Sequence, residues 1–181
     1  MIFRFRSLKA TQAAAVLLAL DGNSMDRMRL LKLLYIADRE LLAESGRTLT
    51  GDRAMAMKNG PVLSRISDLI KGIEVSPEDW GRSLRSEGYR VVLLGDPGRG
   101  ELTKRELEKL HDLTDRYHSV PTPALSAHTH KFPEWVKNYQ AGTSAPIPWR
   151  DVLAATGNEV KVEAIEKRLE EQSLIDSIFG A

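Results

Sequence analysis

The stretch from Arg29 to Ile70, RLLKLLYIADRELLAESGRTLTGDRAMAMKNGPVLSRISDLI, decides the fold. Its first half places apolar side chains at positions 30, 33, 34, 37 and 41, which is the spacing of one helical face. Leu31, Tyr35 and Leu42 widen that face to more than half of the helix circumference. A helix that is apolar over so much of its surface packs against neighbours on two sides. The pattern therefore predicts that residues 25–45 form the central helix of the core.

The second half of the stretch is divided by turn residues. Gly46 suits the left-handed position just past the end of a helix. Thr50-Gly51-Asp52 is typical of a turn, and residues 53–57 alternate as in a short strand. We expect Gly60 to end that strand and Pro61 to be the first residue of the next helix, where its missing N–H costs nothing. The stretch thus predicts a rigid helix–turn–strand–helix unit.

Composition narrows the class of protein. The chain has 181 residues, 42% of them hydrophobic and 28% charged, as in one soluble globular domain. Its net charge is +1 and its basic residues are interspersed with acidic ones, which argues against a dominant nucleic-acid interaction. The absence of cysteine excludes disulfides, thiolate catalysis and cysteine-ligated zinc. No apolar run approaches the roughly 20 residues of a membrane span, and the start lacks the pattern of a signal peptide, so we expect a cytoplasmic protein.

The rest of the chain alternates helical patterns with breakers. Thr103 and Glu106 form a capping-box pattern, Ser7 and the turn at 21–24 are candidate helix caps, and Ser76-Pro77 resembles a helix start. The sequence predicts one domain over residues 1–181 that is mainly α, a compact helical domain with a small antiparallel β-sheet (α+β). The predicted strands are residues 2–6, 53–57 and 89–95; the predicted helices are 8–20, 25–45, 104–117, 123–129, 133–139 and 160–178, with short helices after Pro61 and Pro148 and a loop over 141–148.

The histidines raise the question of a metal site. His128 and His130 could begin a zinc site, but zinc needs further ligands and the chain has no cysteine. Pro133 interrupts any helix face that would join His128 to Glu134. We expect His130 to be partly buried, hydrogen-bonded and packed near Trp135, and we predict no metal and no other cofactor.

Two carboxylates could be interpreted as a catalytic pair. Asp38 and Asp52 would suit acid–base hydrolysis if they faced one another. The structural interpretation is that Asp52 makes an Asx-type hydrogen bond in its turn, whereas Asp38, Arg39 and Glu40 line the polar edge of the central helix. We favour the structural interpretation, predict no catalytic residue, and expect a protein that is not an enzyme.

A DNA-binding function is the alternative interpretation. Residues 7–42 could form the helix pair of a winged-helix transcriptional regulator, with 89–99 as its wing. A recognition helix must expose base-reading side chains, and leucine occupies most positions of the central helix. We therefore assign that helix to the core.

Two groups of motifs resemble a known family. The first contains Lys32–Arg39, Thr50-Gly51-Asp52, Ala56-Met57 and Gly60-Pro61-Val62 with Ser64, and the second contains Leu125-Ser126, Thr129-His130 and Pro133-Glu134-Trp135. In order and spacing they resemble the Panacea domain, the SocA-like antitoxin family that also includes phage-associated proteins. The resemblance spans residues 8–156. The sequence departs from the family pattern at two positions: Leu63 replaces the more usual proline, and Asn59 replaces the more usual aromatic residue or histidine. The motif residues expected to be structural are Leu34, Tyr35, Ala37, Asp38, Gly51, Met57, Gly60, Pro61, Val62, Thr129, His130, Pro133 and Trp135.

The resemblance implies an antitoxin-like protein-binding module. Such a module neutralises a co-expressed toxin, either by direct binding or by delivering it to a protease such as ClpXP. We expect the cognate protein toxin to dock on exposed polar positions around the turns, namely Arg39, Asp52, Lys58 and Asn59. The helix at 160–178 ends with Leu174, Ile175, Ile178 and Phe179, an apolar end that should dock on the protein's own helices or support self-association.

Overall fold

The computed structural model of the chain describes residues 1–73 and 78–179. Within them it is mainly helical with two small antiparallel sheets, so the predicted fold class is confirmed. The helices are α1 (Ser7–Leu20), α2 (Arg27–Ser45), α3 (Ser64–Lys71), α4 (Glu78–Ser83), α5 (Lys104–Tyr117), α6 (Thr122–Thr129), α7 (Pro133–Asn138), α8 (Trp149–Ala155) and α9 (Val162–Phe179). The strands are β1 (Ser24–Asp26), β2 (Ala54–Met57), β3 (Gly60–Leu63), β4 (Leu84–Glu87), β5 (Arg90–Leu93) and β6 (Ala145–Ile147), and a 3₁₀ turn (Glu159–Lys161) precedes α9.

Helix α2 is the predicted central helix. It contacts α1, α5, α6, α8 and β3, and its side chains are buried from Arg29 to Asp38. Its cap is the Asp26 carboxylate, which accepts from the N–H groups of Met28 (2.8 Å) and Arg29 (3.2 Å); the expected cap within the turn at 21–24 is wrong. Because α2 is enclosed in this way, it cannot serve as the recognition helix of a winged-helix DNA reader.

The strands form two sheets, with orders β1-β5-β4 and β3-β2-β6. The predicted strands at 53–57 and 89–95 are found as β2 and β5, but residues 2–6 belong to no strand. They run beside the turn before β2, where the N–H of Arg6 donates to the carbonyl of Thr50 at 2.9 Å. Pro61 lies in β3 and not at a helix start, which fits because β3 is an edge strand, where a missing N–H is tolerated.

The helix caps and loops predicted from local sequence signals are only partly found in the structure. Thr103 and Glu106 form the predicted capping box at the start of α5. Ser7 is the first residue of α1 but makes no cap hydrogen bond, and the predicted loop at 141–148 contains β6. The helix start expected at Ser76-Pro77 lies outside the described residues. Among the helices that the structure describes, none has the length and apolar character needed to cross a bilayer.

Leu34 tests the assignment of α2 to the core. Its side chain is fully buried, as are those of Tyr35 and Ala37, and Met57 is half-buried, as expected from the motif. Leu34→Ala should lower the free energy of unfolding by about 2–5 kcal/mol, because it removes buried methyl groups and leaves a cavity. Chemical denaturation would measure this loss, with the half-exposed Leu94→Ala as control. A Leu34→Ala variant as stable as the control would contradict the core assignment.

Candidate partner-binding surface

The turn of the β2–β3 hairpin presents Lys58 and Asn59 to solvent. The hairpin is fixed from the side of α6 and α7: the Ser126 hydroxyl donates to the carbonyl of Asn59 (2.9 Å), and the Trp135 indole N–H donates to that of Met57 (3.1 Å). The turn is therefore held in place by helices that are about 70 residues away in sequence.

Gly60 allows the helices to approach the hairpin this closely. Its φ is +94°, and a Cβ at this position would lie 2.6 Å from Thr129 Oγ1 and 3.0 Å from Lys32 Nζ. Any larger residue would require the hairpin, α6 or α2 to shift. The motif glycine is thus explained by both its backbone conformation and its contacts.

Lys32 lies beneath this turn and is fully buried. Its ammonium donates to the carbonyl of Pro61 at 2.7 Å. Burial lowers the pKa of Lys32 from its ordinary value of 10.5 to about 7, because the charged form is removed from water. Lys32 therefore links α2 to β3, and its charge titrates near neutral pH.

Three aromatic rings stack beside the hairpin. His130 lies 4.5 Å from Trp135, and Trp135 lies 4.5 Å from Tyr139, in near-parallel geometry. All three are half-buried, so the expected partial burial of His130 and its packing on Trp135 are confirmed. Its Nε2 is buried without a hydrogen-bond partner in the described part of the chain, which differs from the expected hydrogen-bonded histidine.

Arg39 is held by a buried carboxylate. Glu134 is 1% exposed and accepts hydrogen bonds from Arg39 Nε (2.6 Å) and the Tyr35 hydroxyl (2.9 Å). The guanidinium also lies over the ring of Phe132, 4.3 Å from its centroid. Burial, followed by the charge and hydrogen bond of Glu134, raises the pKa of Tyr35 well above its ordinary value. Arg39 therefore connects α2 to α7, and it is not the freely exposed docking residue that the sequence suggested.

Asp38 does not lie on a polar edge of α2, so that expectation is wrong. It is completely buried and accepts from the N–H groups of Leu49 (2.6 Å) and Thr50 (2.8 Å) and from the Thr50 hydroxyl (2.5 Å). Burial raises the pKa of Asp38 to about 7, against these three donors, which favour the carboxylate. The side chain fixes the loop that leads into β2.

Asp52 is also structural. It is 1% exposed, and its carboxylate accepts from the N–H groups of Arg53 (2.6 Å), Arg65 (3.1 Å) and Ile66 (3.0 Å). Two of these donors belong to the first turn of α3, so Asp52 caps that helix from a distant turn. Burial raises the pKa of Asp52. The side chain is buried, so the expectation that Asp52 occupies an exposed polar position is wrong.

The two histidines of the possible metal motif contact different neighbours. His128 Nε2 lies 3.2 Å from the Tyr117 hydroxyl, and its ring meets Phe132 edge-on, whereas His130 stacks on Trp135. Within residues 1–73 and 78–179, no three His, Asp or Glu side chains are grouped so that they could hold a metal ion. That the protein binds no metal and catalyses no reaction remains a prediction.

A groove that the sequence did not indicate lies on the α3 side of the hairpin. We call it the basic groove; its volume is about 200 Å³. Helix α2, the β2–β3 hairpin and helix α3 all contribute to it, so no single stretch of sequence shows it. The residues lining it are Arg27, Met28, Leu31, Met57, Lys58, Asn59, Val62, Ser67, Ile70 and Lys71.

A comparison with protein-family models identifies the family of this chain. A protein-family model described as antitoxin SocA-like, Panacea domain, matches residues 30–136. The matched segment covers more than half of the chain and contains both groups of motifs, so the chain belongs to this antitoxin family. Neither the curated proteins nor the solved structures gave a match.

Proposed function

We propose that this protein is an antitoxin module that neutralises a co-expressed toxin through direct protein–protein contact, without catalysis and without a cofactor. Membership of the antitoxin family supports this function at the level of the class. The observation that carries the proposal is the rigid, exposed hairpin turn at Lys58 and Asn59, next to three stacked rings. We call these five residues the hairpin surface: Lys58, Asn59, His130, Trp135 and Tyr139.

The hairpin surface has the properties of a recognition site. Tyrosine and tryptophan are enriched among the residues that dominate binding energy at protein interfaces. The turn is already fixed by Ser126 and Trp135, so little conformational entropy is lost when a partner binds. Lys58 adds a charge that chiefly sets partner choice and encounter rate.

Neutralisation could follow binding in two ways. The module could cover the toxin, or it could deliver the toxin to a protease such as ClpXP. Both need a stable antitoxin–toxin contact, so both predict that the two proteins co-purify. They differ in the amount of toxin, which falls only when a protease degrades it.

The test is co-expression with the product of the adjacent gene. If that product is a toxin, this chain should restore growth and co-purify with it. Lys58→Glu should weaken the affinity about tenfold because it reverses the charge of the exposed turn. Tyr139→Ala should do the same because it removes the outer ring of the stack, and since this ring also packs against the core, a thermal melt is its necessary control. Lys104→Glu, on the exposed face of α5, is the matched charge control and should rescue growth like the wild type.

Arg39→Glu would not serve as a clean test. It would place a second carboxylate beside buried Glu134 and destabilise the domain itself.

Thermal melts of the Lys58→Glu and Tyr139→Ala variants should show that both stay folded, so that a loss of rescue reports lost binding. If the adjacent gene product is harmless alone and no stable protein partner is recovered, the antitoxin function is wrong for this chain.

A further inference from the structure

The apolar lining of the basic groove consists of a floor and two methionine side chains in its walls. Leu31, Val62 and Ile70 form the floor and are only 6%, 5% and 3% exposed, so half-buried Met28 and Met57 supply most of the apolar surface that the groove offers. Methionine side chains adapt to varied partner shapes because they are unbranched and polarizable. The groove is therefore suited to receive apolar side chains from another surface.

The polar lining of the groove is basic. Arg27, Lys58 and Lys71 line it, and no acidic residue does so in the described part of the chain. No ion pair involves these three cations within residues 1–73 and 78–179; Arg27 instead lies over the ring of Tyr89, 4.6 Å from its centroid. The groove consequently favours an occupant that combines apolar side chains with negative charge.

The end of α9 has the complementary chemistry. Leu174, Ile175, Ile178 and Phe179 are 61%, 49%, 65% and 78% exposed. Residues 169–179 contain three acidic residues and no basic one. Positions 171, 174, 175 and 178 follow the spacing of one helical face. The last turns of α9 therefore form an exposed, acidic, amphipathic helix end.

This helix end lies away from the groove of its own chain. Arg168 donates to the carbonyl of Gly46, at the C-terminal end of α2, whereas the groove adjoins Arg27 and Leu31 at the N-terminal end. The 19 residues of α2 span about 28 Å, while the helix from Arg168 to Phe179 extends only about 16 Å. An ion pair of Asp176 with Arg4 (3.8 Å) also holds the end of α9 beside the N-terminal segment.

We propose that the basic groove binds the last three turns of α9, from Glu170 to Phe179, from a second copy of this chain. The apolar side chains of Leu174, Ile175 and Ile178 would enter the groove, and Glu170 and Glu171 of the preceding turn would face Arg27 and Lys71. This is helix-in-groove recognition between two different patches of one protein. Two copies can exchange their helix ends reciprocally, or each copy can bind the next in a head-to-tail chain.

Sedimentation analysis of the full chain over a range of concentrations tests this self-association. The wild type should associate as its concentration rises. Lys71→Glu and the double variant Glu170→Lys/Glu171→Lys should each weaken the association at least tenfold, since each places like charges on the two patches. Lys71 is changed in preference to Lys58 because Lys58 also belongs to the hairpin surface. Thermal melts should show that both variants stay folded, and Lys104→Glu should associate like the wild type.

Mixing the variants makes the test specific. Lys71→Glu chains mixed with Glu170→Lys/Glu171→Lys chains should associate again, because reversed charges then meet across the contact. Three outcomes would overturn the proposal: a wild type that stays monomeric at all accessible concentrations, association that neither variant weakens, or a mixture that fails to associate. A monomeric wild type whose toxin binding alone is lost in Lys71→Glu would assign the groove to the toxin and also overturn it.

Discussion

Replacing Asp38 with alanine is expected to lower the free energy of unfolding by about 3–5 kcal/mol. The reason is that the carboxylate accepts two backbone N–H groups, from Leu49 and Thr50, and the Thr50 hydroxyl, all in a fully buried site. Alanine would leave these three donors buried without an acceptor, and an unmet buried donor costs more than a hydrogen bond gains.

Urea denaturation at fixed pH would measure this loss. Asp38→Asn should cost less than alanine, because an amide oxygen can still accept from the two N–H groups and the Thr50 hydroxyl can turn to accept from the amide. Asp115→Ala, on the exposed face of α5, is the matched control and should change stability by at most about 0.5 kcal/mol. An alanine variant at Asp38 as stable as this control would show that the loop does not depend on the carboxylate.

The same side chain connects stability to the candidate surface. Asp38 fixes the backbone of Leu49 and Thr50. Gly51, which follows them, packs against the N-terminal segment, and Asp52 caps α3. At Gly51 a Cβ would lie 1.9 Å from the carbonyl oxygen of Arg4, so only glycine fits at this position. The turn therefore positions β2, and with it the hairpin that presents Lys58.

Features set by neighbouring residues could be predicted from the sequence. The 3.6-residue spacing placed α2 and α5, and the capping box of Thr103 and Glu106 marked the start of α5. Features set by distant pairing could not. Residues 2–6 alternate as a strand does, but no strand in the described part of the chain pairs with them. Pro61 occurs in a strand because β3 lies at a sheet edge.

The candidate site divides in the same way. Lys58 and Asn59 are exposed as predicted, because a two-residue hairpin turn has to face solvent. Arg39 and Asp52 look equally polar in the sequence, yet both are held by tertiary contacts. Arg39 pairs with Glu134, 95 residues further along the chain, and Asp52 accepts from Arg65 and Ile66 at the start of α3. The basic groove was missed for the same reason, since its cations come from α2, the hairpin and α3.

The stability of the folded protein should rise with pH above neutrality because of Lys32. Its pKa is about 7 in the folded state against 10.5 as the ordinary value. Between these values the unfolded chain binds a proton at Lys32 that the folded chain does not bind, so raising the pH favours the folded state. Below pH 7 both states are protonated and the cost of burying the charge is fully present; above 10.5 it has disappeared.

From pH 7.5 to 9.5 the free energy of unfolding should therefore rise by about 2–3 kcal/mol, close to 1.4 kcal/mol per pH unit for one proton. Asp38 should not contribute, because its raised pKa of about 7 makes stability fall with pH only below that value. Measurements should stop at pH 9.5, since the raised pKa of Tyr35 makes stability fall once unfolded tyrosine ionises. Denaturation profiles of Lys32→Met should lack the rise, and those of the exposed Lys104→Met should retain it. A rise that persists in Lys32→Met would assign the linked proton to another group, and a flat wild-type profile would show that Lys32 keeps its charge in the folded protein.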